Sequence, residues 1–182
     1  MKKRLKGDNM KEYIKVPLER IAVIVGPNGE VKEFIEEKST TSINIDSQTG
    51  DIEIDIKDSI KGLRTKDVIN AIASGFSPEK AFRLFDDDLL VFETINLAKI
   101  AKTEKDLQRI KGRIIGSTGK TREVFENLTG VLISVYGKTI SLIGYPEQNN
   151  VARAGIDMLL KGSTQKVVYK FLEKKTGELK RT

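Results

Sequence analysis

The sequence has no cysteine, no histidine, no tryptophan and only four prolines among its 182 residues. Without cysteine there are no disulfides and no thiolate-bound zinc. Without histidine the commonest general base and metal ligand is missing, which turns the reading away from enzymes. No catalytic residue, cofactor or metal site is expected. No apolar run approaches the roughly 18 residues a membrane span needs, so no membrane partner is expected either. The opening MKKRLKGDNMKEY is basic and lacks the apolar stretch of a signal peptide. Its first dozen residues read as a mobile arm, and the protein as intracellular and cytoplasmic. With 38% hydrophobic residues but only seven Phe, the cores must be mostly aliphatic.

What is abundant is charge, and it is unevenly placed. The net charge is +6, yet residues 1–20 carry +4, residues 21–90 carry −6 and residues 91–182 carry +8. Such asymmetry suits a polyanion held mainly by the second half of the chain.

Along the chain, YIKVPLER (13–20) reads as a strand with Pro17 at its edge. IAVIVG (21–26) is an apolar turn or short helix stopped by Gly26. Residues 30–40 place Val31, Phe34 and Ile35 on one helical face. SINIDSQTGDIEIDI (42–56) alternates as a hairpin, 64–77 is an amphipathic helix ending at Gly75, and 77–85 opens with a Ser-Pro helix start. A second strand begins within 86–99, and the order recurs: a helix over 103–115, GSTG, a helix over 120–130, a hairpin over 131–144 turned at Gly137-Lys138, and a helix over 146–162. A basic helix follows from Gln165. Shifting the sequence by 90 residues lays Ile24 on Ile114, Gly26 on Gly116, Gly29 on Gly119 and Ile43 on Ile133. The pattern is two copies of a βααββα unit joined by a helical connector near 77–88.

GSTGKT resembles the end of a nucleotide-binding P-loop, but that motif needs a glycine at position 114 and a strand before it. Position 114 is Ile114, and the preceding DLQRIKGRII is helical and charged. An alternative geometry is a helix ending in Ile-Gly, a two-residue turn and a second helix. Gly116 and Gly119 allow the backbone to turn tightly and another backbone to approach. The N-terminus of the 120–130 helix favours an anion. Lys111, Arg113, Lys120 and Arg122 surround the loop with no acid between residues 107 and 122. The expected ligand is a run of phosphates, and the VLISV strand would offer bases an aliphatic surface. The residues alone point to single-stranded nucleic acid.

I-I-G-x-x-G followed by a helix and a hairpin resembles the KH domain, whose GxxG loop clamps about four nucleotides of backbone. FSPEKAFRLFDDDLL, GRIIGSTGKTREVFENLTG and LIGYPEQNNVARAGIDMLLKG further resemble the two-KH-domain small-subunit pre-rRNA processing family of the Dim-two type, in its archaeal form. The similarity spans nearly the whole chain. It implies an α+β fold of two tandem type I KH domains, each a three-stranded antiparallel sheet packed with helices. These would occupy residues 10–85 with the connector helix and 86–176 with the basic helix. It also implies binding near the 3′ end of immature small-subunit rRNA, a role in ribosome biogenesis on the pre-ribosomal small subunit, and a PIN-domain endonuclease of the Nob-one type as partner. A general KH adaptor serving the exosome or translation is the alternative within the class, and an NTP-dependent enzyme the alternative outside it.

The two loops differ. GPNGEVKEFIEE (26–37) holds one Lys and four Glu, whereas GSTGKTREVFEN (116–127) holds two bases and two acids. Pro27 also removes a backbone donor. Neither loop has the Lys or Arg between its glycines that many KH loops carry. The RNA-binding set is therefore Lys111, Arg113, Gly116, Ser117, Thr118, Gly119, Lys120 and Arg122. Gly26, Pro27, Asn28 and Gly29 form a secondary loop in a unit that is mainly structural or protein-binding. Asp86-Asp87-Asp88 reads as a polar turn, and Asp46, Asp51, Glu53 and Asp55 as the solvated side of a hairpin. Tyr136 is placed either to stack on a base or to pack. Lys166, Lys170, Lys174 and Lys175 either extend the RNA footprint or form a solvated helix face.

Overall fold

The computed structural model describes residues 10–57 and 59–181. It divides into two compact units, one ending at Asp86 and the other beginning at Asp87. The arm expected over the first dozen residues lies outside the described residues up to residue 9, while residues 10–12 already belong to a strand.

The first unit runs β1 (Met10–Lys15), α1 (Leu18–Val25), a turn at Pro27–Gly29, α2 (Glu30–Ser39), β2 (Thr41–Ile45), β3 (Asp51–Ile56), α3 (Ser59–Ala73) and α4 (Pro78–Asp86). Its antiparallel sheet has the order β1-β3-β2, with Ile14 opposite Ile52 and Ile43 opposite Ile54. The alternation of β3 puts Ile52, Ile54 and Ile56 in the core. Glu53 and Asp51 on the other side pair with Lys11 and Lys15. Two expected boundaries move. Pro17 precedes α1, so Leu18, Glu19 and Arg20 are helical rather than extended: a fixed φ near −65° starts a helix as readily as it edges a strand. The helix expected from residue 64 begins at Ser59. The reason lies at Gly62, where an ideal Cβ would stand 2.6 Å from Ile56 Cδ1, so the glycine marks a close helix–sheet approach. Arg20 secures the far end of α3, donating to the Ile72 and Phe76 carbonyls at 2.8 Å each. α4 packs back through Phe82, whose ring lies 4.3 Å from that of Phe34 on α2.

The second unit repeats the order: β4 (Val91–Asn96), α5 (Glu104–Ile115), a turn at Ser117–Gly119, α6 (Lys120–Thr129), β5 (Leu132–Tyr136), β6 (Thr139–Gly144), α7 (Pro146–Leu160) and α8 (Gln165–Leu179). Its sheet order, β4-β6-β5, matches the first, and β5 lies at an edge. Leu107, Ile110 and Ile114 on α5, Phe125 on α6 and Ile156 on α7 meet Ile133, Ile140 and Leu142 in one core. Val168 and Leu172 add α8 to it. The α+β class and the three-stranded antiparallel sheets are as expected. Among the described residues no helix is long and apolar enough to cross a membrane.

The 90-residue repeat is written in hydrogen bonds as well. Glu36 Oε1 accepts the Ile43 backbone N–H at 2.6 Å, and Glu126 Oε1 accepts that of Ile133 at 2.7 Å. Ser39 Oγ donates to the Ile35 carbonyl, and Thr129 Oγ1 to the Phe125 carbonyl. In each unit the second helix is thereby tied to the edge strand that follows it.

Candidate nucleic-acid interface

The GSTG loop joins helix to helix. Thr103 caps α5 by accepting the Asp106 N–H, and the helix runs to Ile115. Gly116 then reverses the chain at φ 75°, ψ 178°. An ideal Cβ there would lie 2.7 Å from the Thr121 backbone nitrogen, so only glycine fits without displacement. Thr118 sits at φ 52°, ψ 27° and Gly119 at φ 83°, after which α6 begins at Lys120. A β-branched residue at positive φ costs of order 1–3 kcal/mol, a strain that tends to collect at ligand clamps. No side chain caps the N-terminus of α6. A P-loop would enter from a strand; this loop enters from α5, which is why the resemblance of GSTGKT to a nucleotide motif ends at its letters.

The first loop has nearly the same backbone: Gly26 at φ 76°, Asn28 at φ 51° and Gly29 at φ 88°. Its surroundings are more acidic. The side-chain atom nearest an ideal Cβ on Gly29 is Glu33 Oε1, at 3.9 Å, whereas at Gly119 it is Arg122 Nη2, at 3.7 Å. Glu30 opens α2 where Lys120 opens α6, and Lys32 lies 3.9 Å from Glu36. A phosphate run would meet carboxylate at Gly29 and guanidinium at Gly119, and only the second combination would gain from counterion release.

Of the residues expected to bind RNA, Ser117, Thr118 and Lys120 are exposed, and Lys111, Arg113 and Arg122 are half-buried. Arg122 Nε is buried and has no hydrogen-bond partner among the described residues. Arg113 is partly committed, since its Nη2 donates to the Ser163 carbonyl at 2.8 Å. The base-contacting surface expected along 131–136 is narrower than the sequence suggested. Val131 and Ile133 belong to the core, leaving Leu132, Val135 and Tyr136 partly open.

Sequence reasoning missed the residues that hold the loop from behind. Thr121, buried at the start of α6, accepts a hydrogen bond from Gln165 Nε2 at 2.7 Å. Together with Arg113 and Ser163 it ties both flanks of the loop to the turn before α8. Ninety residues earlier Thr121 and Arg113 correspond to Val31 and Val23, so a polar residue at a position that is apolar in the first copy was the available signal. Elsewhere, Asp87 closes its turn by accepting the Leu89 N–H at 2.9 Å and the Tyr145 hydroxyl at 2.6 Å. Asp46 does likewise for the Gln48 and Thr49 N–H groups.

Residues 91–177 match the family model described as eukaryotic type KH-domain (KH-domain type I). Over 178 residues the chain is 36% identical to a KH domain-containing protein of Methanocaldococcus jannaschii, covering 96% of this chain and 78% of the relative. It resembles the crystal structure of Dim2p from Pyrococcus horikoshii at 41% identity and a TM-score of 0.85, covering 91% of this chain and 99% of that one. In the a/eIF2alpha–aDim2p–rRNA complex from the same organism, a chain with 39% identity matches at a TM-score of 0.88, covering 95% and 97%. RNA-binding protein PNO1 of Oryzias latipes is 26% identical over 91% of this chain and 70% of its own. The glycine loop between two helices, the β4-β6-β5 sheet and this similarity over nearly the whole length agree: the chain belongs to the KH-domain family of Dim2/PNO1 type.

Proposed function

We propose that this protein binds single-stranded rRNA near the 3′ end of immature small-subunit rRNA and serves as a ribosome-assembly and processing factor, without chemistry of its own. Residues 116–119 clamp the sugar–phosphate backbone, Lys111, Lys120 and Arg122 supply the charge, and the edge strand β5 offers Leu132, Val135 and Tyr136 to bases. Arg113 belongs to this set through its hold on the loop as well as its charge. The reading is supported by the rRNA in the complex of the Pyrococcus relative and by the names of the PNO1 proteins, among them a pre-rRNA-processing protein of Chaetomium thermophilum. The observation that carries it is the guanidinium of Arg122 standing at Gly119 where the first copy has the carboxylate of Glu33.

The first unit, residues 10–85, is by the same reading a second type I KH domain, recognised by the equal torsions of its loop and the 90-residue hydrogen-bond repeat. The other KH domain then covers residues 86–176. Acidic around GPNG and without the Pro27 donor, the first domain serves structure or protein binding, and a PIN-domain endonuclease of the Nob-one type is the proposed partner, in the cytoplasm on the pre-ribosomal small subunit.

The test is Ser117→Asp with Thr118→Asp, titrated with an oligonucleotide from the rRNA 3′ end. Asp tolerates positive φ better than Thr does, so the fold is kept. Binding is expected to weaken at least about tenfold through repulsion of the backbone. Unchanged affinity in the folded double variant would sink the clamp.

A further inference from the structure

We infer that α8 carries a second phosphate-contacting surface, formed by Lys166, Lys170 and Lys174, which continues the path of the RNA strand beyond the GSTG loop. The inference rests on the proposed function and extends it to a helix that the βααββα pattern does not contain.

Three observations support it. The start of α8 is held against the loop: Gln165 Nε2 donates to Thr121 Oγ1 at 2.7 Å, and Arg113 Nη2 to the Ser163 carbonyl at 2.8 Å. Lys166 therefore follows immediately on a residue bonded to the second position of α6. Next, the helix has a fixed orientation. Val168 and Leu172 are fully buried, Leu172 Cδ2 reaches within 2.8 Å of an ideal Cβ on Gly155, and the Tyr169 ring meets Phe125 edge-on at 6.5 Å. At 100° per residue that packing turns Lys166, Lys170 and Lys174 to the opposite side, and all three are exposed. Finally, Lys166 and Lys170 have no ion pair among the described residues. Four other cations of this unit are paired: Arg109 with Asp106, Arg153 with Glu93, Lys161 with Asp157 and Lys175 with Glu178. Glu173 lies at the edge of the row and Glu178, which feels Lys174 electrostatically, ends it, so the free charge is concentrated at Lys166 and Lys170, the end nearer the loop.

Like charges four residues apart destabilise a helix, so a row of three is an arrangement that an anion relieves. The spacing along the axis is about 6 Å per step, on the scale of successive phosphates in an extended strand. A bound strand leaving the N-terminus of α6 would meet Lys166 first, then Lys170 and Lys174.

The experiment compares three variants of the full chain, each checked for folding by circular dichroism, against a single-stranded oligonucleotide of roughly a dozen nucleotides from the small-subunit rRNA 3′ end, long enough to outrun the loop's four. Lys166→Gln/Lys170→Gln/Lys174→Gln should weaken binding about tenfold and reduce the slope of log affinity against log salt by about 2, at ~0.7 per lost phosphate contact. Lys99→Gln/Lys102→Gln/Lys105→Gln removes the same charge from another part of the unit and should weaken binding less than about twofold, leaving the slope in place. An α8 variant that binds like the parent, or a control variant that loses as much as the α8 variant, overturns the inference. The loop variant Ser117→Asp/Thr118→Asp separates the two readings. If it fails to bind while the α8 variant is unaffected, the clamp stands and the α8 surface falls. If it binds normally while the α8 variant fails, the clamp falls and the α8 surface stands.

Discussion

The backbone nitrogen of Thr121 stands 2.7 Å from where a Cβ on Gly116 would lie, and its own Cβ is equally close. Gly26 and Val31 repeat the relationship in the first unit at 2.9 and 2.8 Å. The glycine that opens each loop is thus required by packing as well as by its φ of +75° or +76°. Gly116→Ala combines a left-handed alanine with an overpacked contact and should cost about 2–4 kcal/mol. Gly119→Ala, whose nearest neighbour is a movable Arg122 Nη2 at 3.7 Å, should cost only about 1 kcal/mol. Urea unfolding followed by circular dichroism distinguishes the two, and equal losses would contradict the packing argument.

Thr121 and Gln165 should be energetically coupled. Val31 at the equivalent place shows that a valine is accommodated, so Thr121→Val removes an acceptor without opening a cavity. The expected loss is about 1 kcal/mol, much of it the unsatisfied Gln165 amide. In a double-mutant cycle, Gln165→Ala should cost clearly less in the Thr121→Val background than alone. Additive effects would mean that the hydrogen bond contributes nothing.

Asp106, in the first turn of the helix that leads into the loop, accepts Arg109 Nη2 at 2.6 Å and the Lys102 N–H at 3.2 Å. The Arg109 hydrogen bond, then that from Lys102, hold its carboxyl below the ordinary value of 3.8. A carboxylate with a lowered folded pKa contributes stability above its unfolded pKa and loses it as pH falls through the folded value. The parent should therefore melt above Asp106→Asn at pH 7, with the gap closing below about pH 4. A gap that is constant with pH would contradict this.

If acidity is what keeps the first loop from RNA, reversing it should create binding. Glu30→Lys places a cation where the second copy has Lys120, and Glu33→Arg replaces the carboxylate nearest Gly29 with a guanidinium such as Arg122 provides at Gly119. Affinity for a single-stranded oligonucleotide should rise, and the salt slope should steepen by ~0.7 for each new phosphate contact. An unchanged slope would assign the silence of the loop to Pro27 and the backbone instead.

Much of this was readable from residue types. The paired glycines, the alternating isoleucines of β3 and the 90-residue shift gave two units and two loops, because each reflects a local constraint on torsion or burial. The boundaries that moved depended on a contact between elements and on a residue that suits two conformations. Gly62 fits inside a helix because it lets that helix approach Ile56 closely, and Pro17 suits a strand edge or a helix start equally well. Arg113 was legible as a charge but not as the donor to Ser163, fifty residues away. The Thr121–Gln165 bond spans 44 residues, and no periodicity within one helix announces it.

The most direct test of the account places the two loops side by side. Ser117→Asp/Thr118→Asp and Pro27→Asp/Asn28→Asp add the same charge to backbones of the same shape, and each folded variant is titrated with one rRNA 3′-end oligonucleotide. A loss of about tenfold or more is expected for the second loop and less than about twofold for the first. Equal losses, or a larger loss from the GPNG variant, would contradict it.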